Sequence, residues 1–488
     1  MENQDKKPNI IAIIGAIVLL VLAVVGLSYA FFSAFIKNGE TDPSIEGTGA
    51  NLSLVYTDGK SVITSSNIMP GWSATKTFTV TNNGEADTYY KLNISNITNE
   101  FVEGGLTFSI ASADGGTSVA EQAVGTTTRT ISPSITIAEG ATHTYTVTAK
   151  YINLNTDQTP DLGKSFSYTI GIEASQKPTF KDIILANNEV KTPITTPGAA
   201  VSTSSEALLA SAEDDYGTSY YFRGAVTNNY VEFANKCWRI VRIGGDNTVK
   251  LILHNDNISN ASNPCSSANN STTAAFVHYD GNIYKSEFNS NYNDNAYVGF
   301  MYGTPGSTTY EATHANTNKS TILTNLETWY NNNLKTYESV IDNNVFCNDK
   351  SLSSGSGYSA NATDYAARER LYTSKIPSLK CNGELSKITS KIGLITADEL
   401  AFAGYAVRGY ITTSYLKENA TGYSWWSLSP AGFYNKSLSY VFRVRSDNDA
   451  IDICNVNVDS SVRPVISLVS SITISGVSGT SEDPYVVK

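Results

Sequence analysis

Charge is thin along this chain of 488 residues. Asp, Glu, Lys and Arg make up 16% of it, and acids outnumber bases by 45 to 34, for a formal net charge of −11. A nucleic-acid binder needs a basic surface to displace counterions from phosphates, so this balance argues against a nucleic-acid partner. Histidine is scarcer, with four residues, His143, His254, His278 and His314. No two of them share the ligand spacing of one helix or strand, and H-E-x-x-H does not occur. Cysteine is limited to Cys237, Cys265, Cys347, Cys381 and Cys454, with no C-x-x-C pair. A zinc site is therefore not expected. No spacing supports a Ser/His/Asp set, and no cofactor is implied.

Neutral polar and aromatic residues fill the space that charge leaves. Tyrosine alone reaches 29, and Asn, Ser and Thr are frequent, which suits the surface of a secreted binding protein. Residues 9–36 form an uncharged run of 28, long enough to cross a bilayer core of about 30 Å. Lys6 and Lys7 favour a cytoplasmic N-terminus. The expectation is a cytoplasmic tail over 1–8 and an uncleaved transmembrane signal-anchor helix over 9–36. The alternative is a signal peptide cut near Ala30 or Ala34. Either way the rest lies outside the cytoplasm, and the expected localisation is the cell membrane, single-pass, with extracellular C-terminal domains.

Residues 37–50 read as a polar linker. From 51 to 175 apolar and polar residues alternate: Leu52, Leu54 and Tyr56, Phe78 and Val80, Leu92 and Ile94, Tyr145 to Tyr151, then Phe166 to Ile172. Short runs of period two, broken at Met69-Pro70-Gly71 and Asn82-Asn83-Gly84, predict an all-β sandwich. Residues 176–205 read as a second linker, with a short apolar insert at Ile183-Ile184-Leu185.

Residues 206–470 mix strands and helices into an α+β domain, followed by a C-terminal extension, 471–488. Tyr230 to Phe233 and Cys237 to Ile243 read as paired strands, and Val249 to Leu253 completes a hairpin over a Gly-Gly-Asp-Asn turn. Ser320 can cap a helix with an apolar face of Ile322, Leu323, Leu326, Trp329 and Tyr330. Thr396-Ala397-Asp398-Glu399 has the form of a capping box. The stretch 425–468 opens on Trp425-Trp426 and closes on Arg463-Pro464-Val465-Ile466-Ser467-Leu468, a buried strand by its apolar content. Between them lies a mixture of Asn, Asp, Ser, Tyr, Phe and Ile that reads as loop.

A Cys347–Cys381 bridge would pin a long Ser/Gly/Tyr-rich excursion, and Cys237–Cys265 would close the loop after the hairpin. Cys454 would then remain as a reactive thiol. Five free thiols are the alternative, and sequence alone does not settle pairing. Asp447-Asn448-Asp449 and Glu213-Asp214-Asp215 offer hard-cation oxygens without a known loop spacing, and read better as solvated turns.

Three resemblances follow from these residues. From Gly26 to about Ala174, the Ser28-Tyr29-Ala30-Phe31-Phe32-Ser33 segment, the Met69-Pro70-Gly71 turn and Phe78-Thr79-Val80-Thr81-Asn82-Asn83-Gly84 resemble camelysin/TasA-like surface proteins. That likeness implies a sandwich module, without carrying over the metallopeptidase activity described for some of them. Cys237-Trp238-Arg239-Ile240, Leu394 to Leu400, Trp425 to Pro430 and Val462-Arg463-Pro464-Val465 together resemble a C-type-lectin-like domain of the formylglycine-generating-enzyme-like branch. The paired active cysteines of that enzyme have no counterpart here beyond Cys454. The 425–468 mixture is similar to the variable region of target proteins of diversity-generating retroelements. Adenine-directed changes there turn Asn codons into this same set of residues.

The expected function is a bacterial cell-surface ligand-binding or adhesion protein, not an enzyme, recognising an extracellular protein or glycan. The expected ligand-binding residues are Phe433, Tyr434, Asn435, Ser437, Ser439, Tyr440, Asp447, Asn448, Asp449, Asp452, Asn455 and Asn457. They combine rigid aromatic area with adaptable hydrogen-bonding groups. A structural envelope or fibre subunit is the second reading, an enzyme of the formylglycine-generating type the third, and a surface loop without function the plainest account of 425–468.

Overall fold

Period-two alternation becomes a sandwich in the first of two units, Met1–Pro178. The computed structural model describes residues 33–34, 54–58, 68–84, 86–175, 178–408, 413–435, 437–472, 474–475 and 478–487. In this unit the described strands are β1 (Ser33–Ala34), β2 (Leu54–Asp58), β3 (Trp72–Asn82), β4 (Thr88–Asn99), β5 (Leu106–Ser112), β6 (Val119–Ala123), β7 (Arg129–Ile137), β8 (Thr142–Tyr151) and β9 (Phe166–Ser175). One sheet runs β1-β9-β4-β7 and the other β2-β3-β8-β5-β6. Inward residues of both sheets make one core, in which Phe78 stacks against Tyr56 at 5.3 Å and Tyr145 at 4.9 Å.

The turns explain the strand ends. At Met69-Pro70-Gly71 the Trp72 amide donates to the Met69 carbonyl at 2.9 Å, and Gly71 takes the positive φ of 92° that a type II turn demands. Asn82 is fully buried, and its amide donates to the carbonyls of Ala86, Ile137 and Ala138. His143 is a core residue, with its Nδ1 2.8 Å from the Tyr90 hydroxyl. Burial lowers its pKa.

The transmembrane-helix expectation is corrected. Among the described residues no helix is long and apolar enough to cross a membrane. Ser33 and Ala34, assigned to that helix from sequence, are strand β1, paired antiparallel with Glu173 and Ile172 of β9. A long apolar run is permissive for a helix but does not specify one, and inter-strand bonding claims these two residues. The remainder of 1–36, and the 37–50 linker, lie outside the described residues.

The second unit is Thr179–Lys488, also mostly β, with helix confined to short segments. It begins inside the supposed second linker. Phe180–Asn187 is a helix opened by a capping box, in which the Thr179 hydroxyl and the Asp182 carboxylate each satisfy a free amide. Phe180 and Ile184 are fully buried in the unit's core. The supposed C-terminal extension also belongs to the fold, since Tyr485–Val487 pairs in parallel with Tyr230–Phe233 and Tyr485 is fully buried.

The central sheet contains β10 (Ala207–Asp214), β11 (Gly217–Gly224), β12 (Tyr230–Phe233), β13 (Lys236–Ile243) and β14 (Val249–Asn255). The β13–β14 hairpin forms as expected, and β14 also pairs antiparallel with Val465–Leu468. Trp238, Trp425 and Trp426 are all fully buried. Trp426 donates its indole N–H to the Ser286 carbonyl at 2.7 Å. Arg463 is buried too, donating to the carbonyls of Leu253 and Leu416, with its guanidinium 5.1 Å from the Trp425 ring.

Thr321–Asn333 is the helix capped by Ser320, and Ile322, Leu323, Leu326, Trp329 and Tyr330 are its buried face. Ala397–Phe402 opens on the Thr396/Glu399 capping box. Glu399 does more than cap, because its buried carboxylate meets Lys250 at 2.6 Å and Arg242 at 2.9 Å. Arg242 also meets Asp214 at 2.8 Å, so Asp214 sits in a buried ion network rather than a solvated turn.

Both cysteine pairs are bridged, Cys237–Cys265 and Cys347–Cys381, with Cα separations of 4.9 and 5.5 Å. Such bridges suit an oxidising, extracellular type of compartment. Cys454 is free but buried, and burial pushes its thiol pKa up. The expectation of a reactive thiol is therefore corrected, since reactivity needs an accessible thiolate.

Candidate binding face

The residues between the buried tryptophans and Arg463 form a meander, not a loop. Trp425–Tyr434 pairs antiparallel with Leu438–Val444, and that strand pairs with Ile451–Asn455. Register shifts on either side of Pro430, which has no amide to donate, change which side chains point outward. Side chains then divide by face. Phe433, Ser439, Val441 and Cys454 point inward and are buried. Tyr434, Tyr440 and Asn455 are half-buried on the other side, and Asp452, opposite Arg443 on the outer strand of the meander, is half-buried as well.

Two expected contact residues are therefore framework. Phe433 is fully buried. Ser439 is buried as well, its hydroxyl donating to the Asp294 carbonyl at 2.6 Å and its amide to Tyr292 at 2.8 Å. Asn435 and Ser437 make the first hairpin turn, with Asn435 at φ 55° and the Ser437 hydroxyl donating to the Asn435 carbonyl. Asp447, Asn448 and Asp449 make the second. Asp447 pairs with Arg445, Asn448 accepts from the Ala450 amide at 3.1 Å, and Asp449 meets Lys417 at 2.9 Å. Asn457 is half-buried just past the last strand of the meander.

Asp452 gathers a polar cluster at the outer strand of the meander. The Tyr372 hydroxyl donates to it at 2.6 Å, Arg445 at 3.2 Å, and Arg408 lies 3.8 Å away. Burial pushes the Asp452 carboxyl up, but the Tyr372 hydroxyl, the Ile453 amide and Arg445 together hold it below its ordinary value. The Arg408 guanidinium lies over the Tyr372 ring at 3.8 Å. A second cluster adjoins the first. The Tyr434 hydroxyl donates to Asp364 at 2.6 Å, and Arg368 donates to the same carboxylate at 2.9 Å. Arg368 also faces the rings of Tyr434 at 5.3 Å and Tyr372 at 5.7 Å, which joins the clusters. Tyr440 packs on Tyr434 with ring centroids 5.2 Å apart. Gly432 allows this arrangement, because a Cβ there would collide with the end of the Tyr434 side chain.

The sequence pattern points to Tyr434, Tyr440, Asp452 and Asn455 but passes over Asp364, Arg368, Tyr372 and Arg408. Asp364, Arg368 and Tyr372 recur at intervals of four, a local signal that the sequence does carry. Arg408 has no such signal. Among the described residues no group of three or more His, Cys, Asp or Glu side chains could hold a metal. The face offers fixed aromatic planes, a half-exposed Arg408 and carboxylates whose oxygens are already engaged. Its chemistry is stacking and hydrogen bonding.

What the fold and face define is a disulfide-bridged, β-rich chain with a preorganised Tyr/Arg/Asp surface. No protein-family model and no curated protein matches the chain.

Proposed function

We propose that the chain is a bacterial cell-surface binding or adhesion protein whose second unit recognises an extracellular protein through the Tyr372–Tyr434–Tyr440 face, without catalysis. The supporting observation is the joined cluster of three tyrosines with Arg368 and Arg408, each ring held by a carboxylate or a neighbouring ring. Tyr and Arg dominate the energetics of protein interfaces, and side chains already fixed in place lose little entropy on binding. The β-sandwich would act as a spacer, as its resemblance to surface proteins implies.

The test uses the full chain immobilised on beads and challenged with intact cells. Arg408, with its side chain 56% exposed, should tolerate replacement without unfolding. Arg408→Ala should cut retention of the bound cells by about tenfold or more, the scale of an interface hot spot. Val102→Ala, at an exposed position of the first unit, should leave it unchanged. Equal retention by Arg408→Ala and the unaltered chain would remove the face from the account.

A further inference from the structure

Away from the binding face, the segment after β14 encloses a groove of about 450 Å³, lined in part by Asp256, Ser259, Ser271, Thr273, His278 and Tyr423. That is within the range of small-ligand sites. We infer that this groove is a second binding site, and that it takes a neutral saccharide.

The walls are held rigidly although they lack regular structure. The Cys237–Cys265 bridge ties the segment to β13. The Asn255 amide donates to the carbonyls of Pro264 at 3.1 Å and Asn269 at 3.0 Å. The Asn257 amide donates to Asn235 at 2.9 Å and Ala261 at 3.0 Å. An Asn/Ser-rich excursion of this length would otherwise be mobile. Its ordering gives a cavity whose shape exists before any ligand arrives, which lowers the entropic cost of binding.

The lining chooses the ligand class. Asp256 is the acid of the groove, and it is already engaged by Lys236 at 2.7 Å and by the His278 amide at 2.9 Å. Neither an unpaired carboxylate for a cation nor an unpaired ammonium for an anion faces the space. The hydroxyls of Ser259, Ser271 and Thr273 can both donate and accept, which matches sugar hydroxyls. His278 adds a fixed group. Its side chain is only 6% exposed, its Nδ1 is 3.7 Å from the Asp256 carboxylate, and that buried nitrogen has no hydrogen-bond partner. That nitrogen is closed off beside Asp256, so His278 serves as a fixed wall of the groove. Tyr423 closes one wall. A peptide would need apolar pockets for its side chains, and the lining is dominated by Asn, Ser, Thr and Asp.

Saturation-transfer NMR on the full chain tests this with three neutral probes: maltotriose, chitotriose and mannotriose. At least one should receive saturation. Ser271→Trp and Ser259→Trp, both at exposed positions, fill the groove from different sides. Whichever of them folds should weaken that probe by about tenfold or more. Tyr440→Ala should leave it unchanged. Absence of transfer to all three probes overturns the inference, and so does full affinity in a folded groove-filling variant. Loss of the probe in Tyr440→Ala, with retention in the groove variants, would place sugar on the tyrosine face and also overturn it. A failure of Arg408→Ala to reduce cell retention bears on the tyrosine face alone.

Discussion

Replacing Glu399 by Gln removes one charge from the interior of the second unit and keeps the side chain's shape. Glu399 is buried between Lys250 and Arg242, and its second oxygen accepts from the Thr396 amide at 3.0 Å. Burial pushes the carboxyl up, but Lys250 and Arg242 outweigh it and hold the pKa at about 2, against an ordinary 4.5. A carboxylate with a depressed folded pKa contributes stability that is present above the unfolded value and lost as pH falls through the folded one. Here the window runs from about 4.5 down to about 2. At about 1.4 kcal/mol per pKa unit, that gap corresponds to about 3 kcal/mol. The network as a whole contributes less, because burial, with the neighbouring Arg242 charge, leaves the Lys250 pKa below its ordinary value despite Glu399. Glu399→Gln leaves the buried Lys250 without its carboxylate while Arg242 keeps Asp214, a loss of about 3–5 kcal/mol near neutral pH. Tryptophan fluorescence during urea unfolding reads this unit selectively, since Trp238, Trp329, Trp425 and Trp426 lie in it and only Trp72 in the other. The difference between the two proteins should be largest at pH 7 and shrink by about 3 kcal/mol towards pH 2. A difference that is the same at both pH values would refute the charged-network account.

Removing the Cys347–Cys381 bridge as a double serine variant should cost about 4 kcal/mol, from the loop-closure entropy of its 34-residue separation; denaturant titration reads it, and a loss under about 1 kcal/mol would contradict it. Cys454 should resist iodoacetamide in the folded chain and become alkylated only on unfolding. Its rapid modification under native conditions would show that the thiol is accessible after all.

Local signals were legible in the sequence. Ser320 and the Thr396/Glu399 box fix helix starts through side-chain bonds within three residues, so no distant contact is needed to see them. The buried tryptophans and Val465–Leu468 were legible because apolar bulk has few other places to go. Face assignment within the meander was not. Its polar-aromatic mixture hides the strand period, and register shifts around Pro430 displace the alternation. Ser439 turns inward because of a carbonyl 145 positions away, at Asp294, which spacing cannot reveal. The Tyr372–Asp452 bond likewise joins segments 80 positions apart. The helix Phe180–Asn187 was missed for a different reason. Its Thr179/Asp182 box was present, but neighbouring prolines and serines made the segment read as linker.

The central claim is that the meander separates a buried supporting layer from an exchangeable recognition layer. The most direct measurement compares thermal unfolding and cell retention for Tyr440→Ala and Trp425→Ala. Tyr440 is half-buried and packs on Tyr434, so its loss should cost under about 1 kcal/mol of stability while reducing retention about tenfold. Trp425 is fully buried, so its loss should destabilise the unit by about 3–5 kcal/mol. Equal destabilisation by both, or unimpaired retention by a stable Tyr440→Ala protein, would contradict the account.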